Sequence, residues 1–324
     1  MLKVNKQTAS CQGGGERAPA RRAPALPCPL KPCETRAPRG SPLLNPPELS
    51  SAPPAERTGW AFQTASGRAA ISRRMASRLA DSMPSFEAVV ARDPDLLAVQ
   101  FQSSVGPEGR VGTRAQFADL GVPTYVSPAN CGTGTRGNGD SNRGALYSNN
   151  LLYQEVEELS RIFGVADRGT ELVAQLKARE AAARDRVQGR AEEVSILYWF
   201  SSAEVEGDAW VAGQTGASAY INATLGAQNV IETDEEWPLV GWETIAAADP
   251  TVIVIGTMDR RNQSADDPEV KKAFMASDPV VRELDAVREG RIVEMDAQAM
   301  NPTLRTIQGL EVVAGALERF DLLK

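Results

Sequence analysis

Apolar positions along the chain switch repeatedly between a helical and an extended period from residue 85 onward. The switch is most legible in two places. Residues 86–99 read FEAVVARDPDLLAV and residues 242–255 read WETIAAADPTVIVI, an ungapped match at an offset of 243 − 87 = 156. Each copy runs through an aromatic residue, a glutamate, a short helix, Asp-Pro and an apolar run. Glu87 and Glu243 fall in the first helical turn, where a carboxylate suits the positive helix end. Pro94 and Pro250 stop the two helices. Leu96 to Val99 and Val252 to Ile255 are short apolar runs of the kind a parallel sheet buries on both faces. Two copies of one helix-to-strand step predict two similar lobes.

The same texture continues around the copies. Ala115 to Leu120 read as helical, followed by Gly121-Val122-Pro123 and a strand from Thr124 to Ser127. Within 151–163, Leu152, Val156, Leu159 and Phe163 share one helical face. Asp167 reads as the N-cap of a second helix whose apolar face carries Leu172, Leu176, Ala183 and Val187. At about 1.5 Å per residue this helix reaches roughly 30 Å, enough to join two lobes. Next come a strand over 194–200, a helix over 217–225 and the second copy. A helix over 268–275, a strand over 291–295 and a last helix over 304–320 complete the chain. The alternation predicts an α/β fold of two Rossmann-like lobes joined by a long α-helix. The boundaries expected are 81–145 for the amino-terminal lobe, 146–190 for the connecting helices and 191–324 for the carboxy-terminal lobe.

Composition changes this picture chiefly at the front. Residues 1–60 hold seven Leu or Val and no Ile or Phe among many Pro, Gly and Arg, too little apolar surface to offset ordering the backbone. Residues 1–80 are therefore expected to be disordered, apart from a possible basic turn or two in AAISRRMASRLA at 69–80. Nothing there resembles a signal peptide, and no apolar run approaches the roughly 20 residues that cross a bilayer. Of the 35 Lys and Arg, 13 lie in residues 1–80 against 4 of the 42 Asp and Glu, which leaves 22 against 38 for the remainder. So acidic a body repels phosphate backbones and argues against nucleic acid as a partner. Histidine is absent, which closes Ser-His-Asp chemistry and His-based metal sites. Cys28 and Cys33 are poorly spaced for zinc, Cys11 stands apart, and Cys131 reads as a structural thiol. No metal and no cofactor are expected.

Two motifs compete for the site. Gly132 to Gly137 spells GxGxxG after a strand, but NGDSNRG follows where a dinucleotide fold must open a helix, so the segment reads as a loop. The strand-end loops of the second lobe carry better material, because ligands of open α/β sheets bind beyond the carboxyl ends of the strands. Trp199, Phe200, Ser201 and Ser202 end one strand, Trp210 and Gln214 lie in the next loop, Trp237 precedes the second copy, and Asp259, Arg260 and Arg261 follow its strand. Aromatic faces beside arginines suit a flat or anionic organic ligand. The bland alternative makes Trp199 and Phe200 core residues and the arginines a solvated turn. Glu87 and Glu243 have a bland reading as helix-end charges; as two separated carboxylates they also suit one two-fold partner.

With these residues in view, the chain resembles the helical-backbone class of substrate-binding proteins of ABC importers, which serve ferric siderophores, haem and cobalamin. The resemblance covers residues 82–324 and rests on PSFEAVVARDPDLLAVQ, GVPTYVSPANC, DEEWPLVGWETIAAADPTVIVIG and LDAVREGRIVEMDAQAMNPTLRTIQGLEVVAGAL. It implies a periplasmic protein without enzymatic activity that carries a ferric siderophore-like complex between its lobes. Glu87 and Glu243 match the glutamates that meet arginines of the permease dimer. Trp199, Phe200, Trp210 and Trp237 would supply stacking surface, Arg260 and Arg261 charge, and Gln102, Ser201, Gln214 and Asn301 orienting hydrogen bonds. The alternatives are haem, with Tyr125 or Tyr147 able to ligate its iron, a corrinoid, or a cofactor-dependent reductase on a similar scaffold. The family places a strand and helix before the PSFE phrase, and an Arg/Pro-rich segment stands there instead. The amino-terminal lobe is thus expected to be truncated as written, with a frame or start-site error behind residues 1–80.

Overall fold

The computed structural model describes residues 79–80, 83–107, 109–130, 146–187, 189–259 and 262–324. All four cysteines, the GxGxxG segment, nearly all of the basic stretch 69–80, and Arg260 with Arg261 lie outside them. The chain divides into two compact units between Val126 and Ser127.

The described part of the first unit holds helices α1 (Phe86–Val90) and α2 (Arg114–Asp119) and strands β1 (Leu97–Val99) and β2 (Thr124–Val126). Ser85 caps α1 by accepting the Ala88 N–H, and Thr113 with Gln116 closes a reciprocal capping box on α2. The strands pair in parallel, Leu97 opposite Thr124 and Val99 opposite Val126. Phe86 and Phe117 pack with ring centroids 5.1 Å apart. A β-carbon on Gly112 would lie 2.6 Å from the Phe86 ring, so only glycine admits that ring. The first apolar run does not become a strand buried on both faces. Ala98 is exposed, because among the described residues β1 has one neighbouring strand.

The second unit holds α3 (Asn149–Ile162), α4 (Ala166–Val187), β3 (Ser195–Ser201), β4 (Ala209–Val211), α5 (Ala217–Leu225), β5 (Gln228–Asn229) and β6 (Leu239–Val240). After these come α6 (Trp242–Ala248), β7 (Val252–Thr257), α7 (Pro268–Ser277), α8 (Asp285–Arg288), β8 (Ile292–Asp296) and α9 (Thr306–Arg319). The sheet runs β6-β4-β3-β7-β8, with β5 paired to the start of β3. β3, β5, β7 and β8 are parallel neighbours; β4 and β6 form an antiparallel edge. Periodicity did not reveal β4, β5 and β6, which are two or three residues long.

Both faces of the sheet are covered, as a parallel sheet requires. Ile196, Tyr198, Val252, Val254, Val293 and Met295 point into one core with α3, α4, α5 and α9. Leu197, Trp199, Ile253 and Ile255 point into the other, with Trp242, Phe274 and Met275. The alternation along each strand is the period of two. Helix α4 begins at Ala166, so Asp167 lies in its first turn rather than at its cap; the carboxylate still faces the positive helix end. Its 22 residues span about 33 Å. Arg179 pairs with Glu311 through two 2.7 Å hydrogen bonds and Arg186 pairs with Glu318, one seven-residue step further on both helices. Helices α4 and α9 therefore run in the same direction, in register. At the α3–α4 crossing, a β-carbon on Gly169 would meet Ser160 Oγ at 2.1 Å.

The two copies of the repeated step fold alike. Val89 and Ile245, a matched pair, are both buried. Asp93 and Asp249, another matched pair, take left-handed backbone with φ of +46° and +41°. Aspartate tolerates that conformation better than most residues, and Pro94 and Pro250 then bar any return to helix. No helix among the described residues is long and apolar enough to cross a membrane.

Candidate functional site at the strand ends

The carboxyl ends of β3, β7 and β8 gather most of the residues singled out in the second unit. Trp199 has no exposed surface: its ring lies edge-on to Trp242 at 4.7 Å and to Phe274 at 6.0 Å, and its Nε1 donates to Ser202 Oγ at 3.0 Å. It is a core residue. Phe200, one position on, points to the other face, where it is half-buried against Trp237 at 4.9 Å. Opposite β4 the pairing goes from Trp199–Val211 to Ser201–Trp210, so two steps on β3 match one on β4. Phe200 is the extra residue of a β-bulge, a device that re-aims a side chain at a sheet edge. Trp210 and Trp237 are half-buried.

The polar candidates hold the loops. Ser201 is buried and donates to Asp266 Oδ1 at 2.8 Å. Gln214 Nε2 donates to Ile231 O at 3.0 Å, and Gln214 also lines a depression of about 320 Å³ with Leu146, Asn222, Gln228, Asn229 and Glu232. Asn301 Nδ2 donates to Ala297 O at 3.1 Å just past β8. Gln102, in the first unit, is half-buried in a single turn at Gln102–Ser104. Glu87 and Glu243 are exposed in the first turns of α1 and α6. Tyr125 and Tyr147 are buried, and the Tyr147 hydroxyl donates to Asn149 Oδ1 at 3.0 Å.

Two polar clusters escaped the sequence reading. Beneath the strand ends, Lys271 is fully buried, with Nζ donating to Phe200 O at 2.6 Å, Gly256 O at 2.7 Å and Trp199 O at 3.4 Å. Burial pulls its ammonium down to about 7, opposed by the charge of Asp266. Asp266, also buried, accepts the backbone N–H groups of Asn262 and Gln263 at 2.9 Å each. The available signal was position: Lys271 stands three and four residues before Phe274 and Met275, on the apolar face of α7. The second cluster centres on Glu180 of α4. It accepts from the Tyr153 hydroxyl, from the Tyr220 hydroxyl at 2.5 Å and from Asn149 Nδ2 at 2.7 Å, tying α3, α4 and α5 together. Burial, with the bond to Glu180, pushes the Tyr220 phenol up to about 12, and the same causes raise Tyr153.

Residues 59–299 match the family model described as periplasmic binding protein, a span that starts within the front segment. The chain belongs to the periplasmic binding protein family. Its fold is shared with a periplasmic binding protein from Veillonella parvula at 20% identity and a TM-score of 0.60, covering 74% of this chain and 75% of that one. A protein of the ABC-type Fe3+-hydroxamate transport system from Saccharomonospora viridis matches at 25% identity and a TM-score of 0.56, covering 72% of each chain. The periplasmic haem-binding protein RhuT from Roseiflexus matches at 22% and 0.56, covering 74% of this chain and 81% of that one. No curated protein matches. At the strand-end face, the half-buried rings of Phe200 and Trp237 lie beside loops held by buried hydrogen bonds.

Proposed function

We propose that the protein binds a ferric siderophore-like iron complex in the periplasm and hands it to an ABC importer, with no chemistry of its own. The observation that carries this reading is the 25% identity, over 72% of the chain, with the Fe3+-hydroxamate system protein of Saccharomonospora viridis. Phe200 and Trp237 would lie against the organic shell of the ligand, with Trp210 adding apolar surface and Gln214 and Asn301 orienting it. Arg260 and Arg261, which follow β7 in the chain, would pair with its anionic oxygens, since guanidinium matches planar oxyanions. Trp199 and Ser201 support that face from beneath rather than touching the ligand. Glu87 and Glu243 would dock the two halves of the permease, each contact raising the effective concentration of the other. The buried phenols of Tyr125 and Tyr147 are poorly placed to ligate haem iron.

Titration of the tryptophan fluorescence with a ferric trihydroxamate, haemin and cobalamin separates the ligands. The trihydroxamate is expected to quench with a dissociation constant of micromolar order or tighter, and Trp237→Ala to weaken it about tenfold. Saturable quenching by haemin or cobalamin alone would replace the ligand class, and silence towards all three would end the reading.

A further inference from the structure

The strongest feature that this reading leaves unused is the buried ammonium below the strand ends. The last register pair between β3 and β7 is Trp199 with Ile255. One residue further, Phe200 is the bulged position, and a bulge takes a residue out of its regular ladder. Lys271, reaching up from α7, donates to the carbonyls of Phe200 and of Gly256, so one side chain spans the two strands where their pairing ends. Gly256 is part of the same device: a β-carbon there would sit 2.9 Å from Phe200 O, so a side chain at this position would push the carbonyl off the ammonium. Ser201, the next residue of β3, is anchored to Asp266, which also holds the N–H groups of Asn262 and Gln263. The Phe200 carbonyl and the Ser201 hydroxyl that follows it thus end on Lys271 and Asp266.

We propose that Lys271 is a positioning residue for the ligand face, its ammonium holding the bulged Phe200 against Gly256 so that the Phe200 ring stands beside Trp237. The inference rests on the reading above for what the ring touches, and on the hydrogen bonds alone for how the ring is held. An ammonium has three donors for the three carbonyls within reach; a neutral amine has two. Loss of the proton therefore releases one carbonyl and loosens the strand ends. Among the described residues, Asp266 is the charged group that acts on this ammonium. On its own helix, Asp267 accepts the Glu269 N–H, Glu269 pairs with Lys272, and Lys272 also pairs with Glu294 of β8. Burial brings the proton loss near neutrality.

Two readouts test this on the full chain. The first is amide hydrogen exchange of residues 199–203 and 256–258, corrected for the intrinsic pH dependence, at pH 6 and pH 8.5. The second is ferric trihydroxamate affinity at the same pH values. The wild type is expected to exchange about fivefold faster and bind about fivefold more weakly at pH 8.5. Lys271→Met should do both already at pH 6 and show no pH dependence, whereas Lys271→Arg should stay near the wild-type pH 6 level at both values. A folded Lys271→Met that matches the wild type in both readouts would overturn the inference. If Lys271→Met does not fold, Asp266→Asn decides: removing the opposing charge must shift the wild-type midpoint to lower pH, and an unmoved midpoint would overturn it. Should no iron complex bind at all, the ligand reading fails while the exchange readout still tests the positioning.

Discussion

A carboxylate that takes two phenol hydroxyls and an amide is a strong local restraint, and Glu180 is one: Tyr153 from α3, Tyr220 from α5 and Asn149 from the start of α3 all end on it. Burial, with the bond to Glu180, pushes the Tyr220 phenol up to about 12, above the roughly 10 of a free phenol. A raised folded value means that the native state keeps the proton longer than the unfolded chain does. The associated stability is complete below about pH 10 and is lost as the pH climbs to about 12. Because Tyr220 is partly exposed, solvent screening reduces the effect to about 1 kcal/mol. Urea unfolding should therefore show stability falling between pH 10 and 12 in the wild type and a flatter profile in Glu180→Gln. Equal slopes in the two proteins would show that the cluster is not energetically coupled.

At the scale of elements, the repeated helix-to-strand step is the clearest case of local physics carrying into the fold. Asp249 ends α6 in left-handed backbone, and its Oδ1 accepts the Asp285 N–H at 3.0 Å at the start of α8. Asp249→Ala should destabilise by about 1–2 kcal/mol, the sum of the left-handed strain and the lost hydrogen bond. Asp249→Gly should recover the strain but not the bond, leaving a smaller loss in thermal unfolding. If both variants melted with the wild type, the turn would not be holding the two helices. The step was legible because its determinants lie within fourteen residues: a helical period, a proline, and an aspartate that accepts positive φ. The short strands β4 and β6 carry no such signal, since two or three residues cannot display a period.

At the scale of the whole molecule, the matched glutamates stand exposed in the first turns of α1 and α6, with no basic residue in the last turn of either helix. If they dock the permease, Glu87→Arg and Glu243→Arg should each leave ferric trihydroxamate affinity within about twofold while cutting iron uptake through the partner permease. The double variant should fall more than tenfold, since charge reversal at an interface costs several kcal/mol. Normal uptake by the double variant would remove the docking roles and leave ligand binding untouched.

The chain by itself determined the alternation of helices and strands, the repeated step and the two exposed carboxylates, because each follows from residues adjacent in sequence. Only the tertiary structure decided which strand-end side chains are buried and which stay accessible. Trp199 and Phe200 are neighbours of similar character, yet the first is buried in the core and the second, at the bulge, packs half-buried against Trp237. The groups that hold that face come from far along the chain: Lys271 lies 71 residues from the Phe200 carbonyl it binds, and Asp266 lies 65 from Ser201. A charged side chain at such a distance reads as solvated until packing shows the carbonyls around it. Long-range pairing is a property of the assembled sheet, and no window of the sequence contains it.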